Sequence, residues 1–191
     1  MRHETETAFK NTVAHAPAAS RVTIPAPIQD KLACLASLVA KCRSQVSRNA
    51  YDKTVNYLPD IEGPARLAKA FAKLGKGLAA VRGMMEVTED EYEVIKRVAL
   101  DTIPKKRRMI ISCLIDLTWE GTKGIGNKVD MPTTTVGREL EDLAMIKVVS
   151  RDLDVNETDE IRQTTPYAWR LRDEIAIALE TTEFMGIIKA C

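Results

Sequence analysis

The sequence predicts a mainly α-helical chain in two parts, a helical bundle followed by a smaller helical unit that closes on a β-hairpin. Three observations carry this. Apolar residues recur at helical spacing through 27–45, 64–83 and 88–103. Beyond Pro104 the pattern becomes helix, short helix, turn and longer helix, and only then do two short stretches turn extended. With 191 residues, 45% of them apolar, the chain has material for a proper core and falls between one and two domains on length. The expected division is a flexible tail over 1–20, a bundle over 21–104 and the second unit over 105–191.

Residues 1–20 mix Thr, Glu, Ala, Asn and Pro without sustained periodicity, which suits a tail or linker. Pro25 and Pro27 then forbid an earlier helix, and Ile28, Leu32, Leu35, Leu38, Val39 and Cys42 line one face of a helix from about Pro27 to Gln45. After a polar break, Leu67, Ala70, Phe71, Leu74, Leu78 and Val81 form the apolar stripe of a second helix with Lys and Arg opposite, ended by Gly83. Thr88 is placed as an N-cap with Glu89, Asp90 and Glu91 in the first turn, where the helix dipole favours negative charge. That third helix stops at Pro104, and its Tyr92, Ile95, Val98 and Ala99 need the surface the first two provide.

In the second part, Met109, Ile110, Cys113, Leu114 and Leu117 mark a buried stripe on the helix that opens with KKRR. That run, Lys105 to Arg108, is the densest basic cluster and reads as a phosphate-facing patch or a solvated inter-domain joint, a solvated face being the usual outcome. Thr122 can cap a short helix to Val129, DMP makes a turn, and Pro132 sits near the first position of a longer helix, where its missing N–H costs nothing. Val136, Leu140 and Leu143 face inward from it. Lys147–Leu153 reads as one strand and YAWRLRD as another, with Tyr167, Trp169 and Leu171 alternating. A closing helix from Asp173 to about Phe184 places Ile175, Ile177, Ala178 and Leu179 for packing on the unit or on a second copy. Trp119 and Trp169 are expected in the core of this part.

Charge is nearly balanced, 28 basic against 27 acidic residues, so an anionic partner would have to be met by local clustering. The four cysteines show no CxxC pair, and His3 and His15 both lie in the tail, which argues for reduced thiols, against a zinc site and against Ser-His-Asp or Cys-His catalysis. No apolar run approaches a membrane span and no secretory signal is visible, so the expected location is the cytoplasm, without membrane partner, cofactor or catalytic activity.

The stretch TKGIGNKVDMPTTTVGRELEDLAMIKVVSR, residues 122–151, resembles the winged helix-turn-helix superfamily in its order of helix, turn, hydroxyl-rich start of a second helix and entry into a wing strand. The likeness extends over about 75 residues and implies the full fold class: a helical bundle followed by a winged helix-turn-helix domain with a small β-hairpin wing. In such a domain the start of the second helix enters the major groove of double-stranded DNA. Arg138 then has the fork that grips guanine, Thr133, Thr134 and Thr135 can bond phosphate or touch a thymine methyl, and Lys123 and Lys128 can hold backbone. In the wing, Arg162, the one cation between its run of acids and its second strand, is the residue expected to contact DNA. The plainer reading is that the threonines only cap a helix and that Arg138 pairs with Glu139, Glu141 or Asp142. The wing speaks against DNA, since DLDVNETDE carries five acids.

Residues 62–99, EGPARLAKAFAKLGKGLAAVRGMMEVTEDEYEVIKRVA, resemble the helical lid of AAA+ ATPases of the MoxR and MCM types. That implies an ATPase core as partner or parent and makes Arg66 the arginine that senses nucleotide phosphate. The departure is that no GxxxxGK[ST] loop and no apolar strand ending in an acidic pair occur, so the chain alone is not expected to hydrolyse ATP. Two functions compete. One is DNA binding, in DNA transactions or transcription regulation. The other is a protein-interaction and assembly module, joining a partner chain or further copies of itself, that leaves DNA untouched.

Overall fold

The computed structural model describes residues 16–49, 51, 62–153 and 167–189. Most of the expected tail, the wing-tip loop 154–166 with Arg162, and Cys191 lie outside them. Among the described residues the structure is mainly helical, with eight α-helices and one small antiparallel sheet. No helix there is long and apolar enough to cross a membrane.

α1 (Ala26–Arg43) buries Ile28, Leu32, Leu35, Leu38, Val39 and Cys42, the face its spacing predicts, widened by Ala36 and Ala40. It packs against α2 (Pro64–Val81), α3 (Glu89–Asp101) and α7 (Asp173–Thr181). In α2, Leu67 and Phe71 are buried as expected, but Ala70 and Val81 are exposed, and Gly75, Ala79 and Ala80 take the contact instead. Small residues there let the helix approach closely: a Cβ at Gly75 would lie 3.2 Å from Ile95. Gly83 ends the helix at φ 74°, with its N–H on the Ala80 carbonyl and the Met84 N–H on that of Ala79. Thr23 forms a single parallel bridge with Glu86, tying the leading segment to the α2–α3 connection.

Thr88 caps α3 through a complete capping box. The Glu91 carboxylate accepts from the Thr88 N–H at 2.8 Å and the Thr88 hydroxyl at 2.6 Å, and it pairs with Arg82. Burial pushes against its charge, yet these bonds outweigh it and hold the Glu91 carboxyl below its ordinary value. Val98, expected inside, is 41% exposed.

Beyond Pro104 run α4 (Lys105–Ile115), β1 (Glu120–Gly121), α5 (Thr122–Lys128), α6 (Thr133–Met145), β2 (Val149–Leu153) and β3 (Tyr167–Leu171). The sheet order is β1-β3-β2, with Glu120 opposite Trp169 and Val149 opposite Leu171. Strand β2 begins later than expected because Lys147 takes φ 59° and closes α6, its N–H on the Ala144 carbonyl. The expected closing helix is two: α7 stops at Thr181, Glu183 turns at φ 53°, and α8 (Met185–Lys189) follows. Ile177 on α7 is 63% exposed, so of its two expected places it does not take the one on this chain.

One hydrophobic cluster runs without a break from Val22 to Ile188, so Pro104 does not mark a gap in packing. α8 lies against both α3 and α4. Tyr92 on α3 donates its buried hydroxyl to the Thr182 carbonyl at 2.9 Å. Lys31 and Lys96 flank its ring at 5.4 and 5.2 Å from the centroid. Lys31 also joins Glu89 at 3.0 Å and Glu183 at 2.8 Å, drawing α1, α3 and the α7–α8 turn together.

Candidate nucleic-acid interface

The site expected from the sequence centres on α5, the turn after it and the first turns of α6. The turn is tight. The Val129 N–H bonds the Ile125 carbonyl and the Met131 N–H the Gly126 carbonyl, each at 3.0 Å, and Asp130 supplies the left-handed residue at φ 51°. Gly126 suits this turn, since a Cβ would come within 3.1 Å of the Met131 carbonyl oxygen and the turn would have to give by a few tenths of an ångström. Pro132 holds the N-cap position of α6, so the three threonines sit inside its first turn. The Pro132 carbonyl accepts from the Thr135 and Val136 N–H groups at 2.8 and 3.0 Å. No hydroxyl of Thr133, Thr134 or Thr135 bonds another group among the described residues.

Val136, Leu140 and Leu143 are buried and fix which way α6 faces. Thr133, Thr134 and Arg138 are exposed, and Thr135 is half-buried. The Arg138 side chain has no ion pair among the described residues, because the acids beside it are engaged elsewhere. Arg48, from the segment after α1, holds Asp142 at 2.6 Å and Glu141 at 3.0 Å and donates to the Arg138 backbone carbonyl at 3.2 Å. Burial works against the Arg48 charge, but the bonds to Asp142 and Glu141 prevail and keep its pKa raised. Arg107 of α4 takes Glu139 at 3.4 Å and approaches Asp142 at 3.8 Å. Glu139 and Asp142 are therefore held against the protein, while Glu141 stays exposed but paired with Arg48.

Arg107 corrects the reading of the KKRR run as a phosphate-facing patch or a solvated joint. It is 5% exposed and donates to the Cys42 and Ser44 carbonyls at the end of α1. The buried face of α4 is Arg107, Ile110, Ile111 and Leu114, while Met109, Cys113 and Leu117 are only partly buried. Arg108 pairs with Asp101 at 3.3 Å, and only Lys105 and Lys106 of the run are exposed.

Lys123 is exposed without an ion pair among the described residues, whereas Lys128 pairs with Glu120, which raises its pKa. Thr122 is the first residue of α5 instead of its cap, and its hydroxyl accepts the indole N–H of Trp169 at 2.8 Å. Trp169 is buried, but Trp119 is 42% exposed with the Arg170 guanidinium 5.2 Å above its ring. On the strands, Arg151 lies 4.9 Å over Tyr167 and Arg170 pairs with Asp173. Arg66 is exposed on α2, away from this group. Cys42 is a free buried thiol, pushed by burial up to about 12, and no cluster of His, Cys, Asp and Glu suited to a metal occurs among the described residues.

Sequence reasoning missed Arg48 and Arg107, which set the charge of the α6 face. A signal for Arg107 existed: it stands three, four and seven residues before Ile110, Ile111 and Leu114, on their stripe. No family model, curated protein or solved structure matches this chain.

Proposed function

We propose that residues 105–171 form a winged helix-turn-helix and that the chain binds double-stranded DNA through the first two turns of α6. One observation carries the reading: Thr133, Thr134 and Arg138 stand exposed at the start of a 13-residue helix while Arg48 and Arg107 pair with the adjacent acids and leave Arg138 without one among the described residues. The order α4-β1-α5-α6-β2-β3, with β1 on the outer edge of the β2–β3 hairpin, suits such a domain. In this reading the exposed hydroxyls and first-turn N–H groups bond phosphates, and Arg138 reaches a base edge with two parallel hydrogen bonds. Lys123 holds the flanking backbone; Lys128 contributes less because Glu120 shares its charge. No catalytic role is assigned to the chain.

The test is fluorescence anisotropy of the whole chain on duplex DNA, titrated with salt, comparing the parent with Arg138→Ala. Loss of a bidentate base contact should cost about 1–3 kcal/mol, roughly five- to 150-fold in affinity, and relax sequence preference. Binding that is unchanged in both affinity and preference would refute insertion of α6. Absence of salt-sensitive binding by the parent would instead favour the assembly module.

A further inference from the structure

The strongest charge feature outside the α6 face is on α2. Its 18 residues contain Arg66, Lys69, Lys73 and Lys76 and no acid. At 3.6 residues per turn these four fall within an arc of about 80°, and at 1.5 Å per residue they span about 15 Å. None has an ion pair among the described residues. Neighbouring cations behave differently: Lys31, Lys41, Arg43, Arg48 and Arg82 each face a carboxylate. In a chain whose net charge is only +1, the stripe is a local concentration of uncompensated positive charge.

A small anion does not account for it. The groove beside the stripe, 430 Å³ in volume, is lined by Lys69 and Lys76 with an apolar floor that includes Ile24, Leu32 and Ala72, and it leaves Arg66 and Lys73 out. Four charges spread over about 15 Å match a polyanion of regular spacing, and duplex DNA carries about one charge per 1.7 Å of its axis. The segment that leads into α2 is linked to α6 only through intermediate residues. Glu62, two residues before α2, pairs with Arg43 at 3.0 Å, and its N–H bonds the Ser44 hydroxyl at 3.3 Å. The Ser44 carbonyl in turn accepts from Arg107, which holds Glu139 of α6.

We infer that the α2 stripe is a second, sequence-independent DNA contact that grips the phosphate backbone beyond the segment read by α6. This rests on the DNA reading above and extends it. Arg138 supplies discrimination; Lys69, Lys73 and Lys76 supply salt-dependent affinity through released counterions.

The experiment is the same titration on a random-sequence duplex with the full chain carrying K69A/K73A/K76A, beside K69R/K73R/K76R. Alanine favours the helix, so the fold is retained. Loss of three contacts lowers the exponent of the salt dependence by about 2.7, so between 50 and 200 mM salt the alanine variant loses about 40-fold less affinity than the parent. The arginine variant should keep the parental exponent. The inference is overturned if the alanine variant keeps the parental affinity and exponent while Arg138→Ala still weakens binding, an outcome that leaves the α6 reading intact. A parent that binds no DNA sinks both. Displacement of DNA by polyglutamate that requires the three lysines and is as efficient as displacement by unlabelled duplex assigns the stripe to acidic protein and overturns the inference.

Discussion

Replacing Arg107 with alanine tests whether one buried guanidinium joins the first helix to the α6 face. Its Nη1 donates to the Cys42 carbonyl at 3.0 Å and to the Ser44 carbonyl, two of the acceptors that the end of α1 leaves without helical partners. Bonds to a charged donor contribute about 1.5–3 kcal/mol each. The Glu139 pair, longer at 3.4 Å and partly solvated, adds less, and Asp142 keeps Arg48 when Arg107 is gone. Truncation strands the two carbonyls and opens space beside Ile110 and Ile111, and breaking a buried charged cluster from one side costs about 3–5 kcal/mol. With a urea slope of about 2 kcal/mol per molar, the unfolding midpoint should fall by about 1.5–2.5 M in a single transition. Urea unfolding followed by tryptophan fluorescence and circular dichroism reads both. A midpoint shift below about 0.5 M, or two separate transitions in the parent, would show that Arg107 does not couple the two halves.

Glu91 predicts a pH dependence. Its carboxyl is held below the ordinary value near about 4.3, so its stabilisation is complete above that value and is lost as pH falls through the depressed one. Glu91→Gln should therefore be destabilised against the parent at neutral pH by an amount that shrinks below about pH 4; a gap that stays constant from pH 7 to 3 would contradict the capping-box account. Two glycines should respond in opposite directions. Gly77, with open space around its Cβ position on α2, should gain about 0.5–1 kcal/mol as alanine. Gly126→Ala should lose about 1–3 kcal/mol because the new methyl meets the Met131 carbonyl. Thermal unfolding of both variants checks the pair, and equal shifts would refute the tight-turn geometry.

What was legible in the sequence was whatever depends on near neighbours. The apolar faces of α1 and α6, the Thr88 capping box and the Gly83 stop all follow from residues within a few positions of one another. β1 was not legible, because a two-residue strand has no periodicity and exists only through its pairing with Trp169 and Ala168, nearly fifty residues away. Breaks at Lys147 and Glu183 escaped notice because both are ordinary side chains in a left-handed conformation that usually advertises itself with glycine. At the site, Arg138 and the threonines could be singled out by type and position, but the fate of Glu139, Glu141 and Asp142 depends on Arg107 and Arg48, which are remote in sequence. The KKRR run misled because a basic run is usually solvated, while the spacing to Ile110 and Leu114 pointed inward.

The Tyr92 hydroxyl reaches forward ninety positions to the Thr182 carbonyl, and this sets an order of events during synthesis. The helices from α1 to α3 leave the ribosome with the place for Tyr92 and the Lys31 and Lys96 ammonium groups still open on one side. Until the α7–α8 turn emerges, Glu183 cannot neutralise Lys31, and Phe184 and Ile188 cannot cover the apolar surface they bury. The apolar surface of the earlier helices thus stays open to chaperones and aggregation while the residues between α3 and α7 are made, and this core is completed only when α7 and α8 arrive.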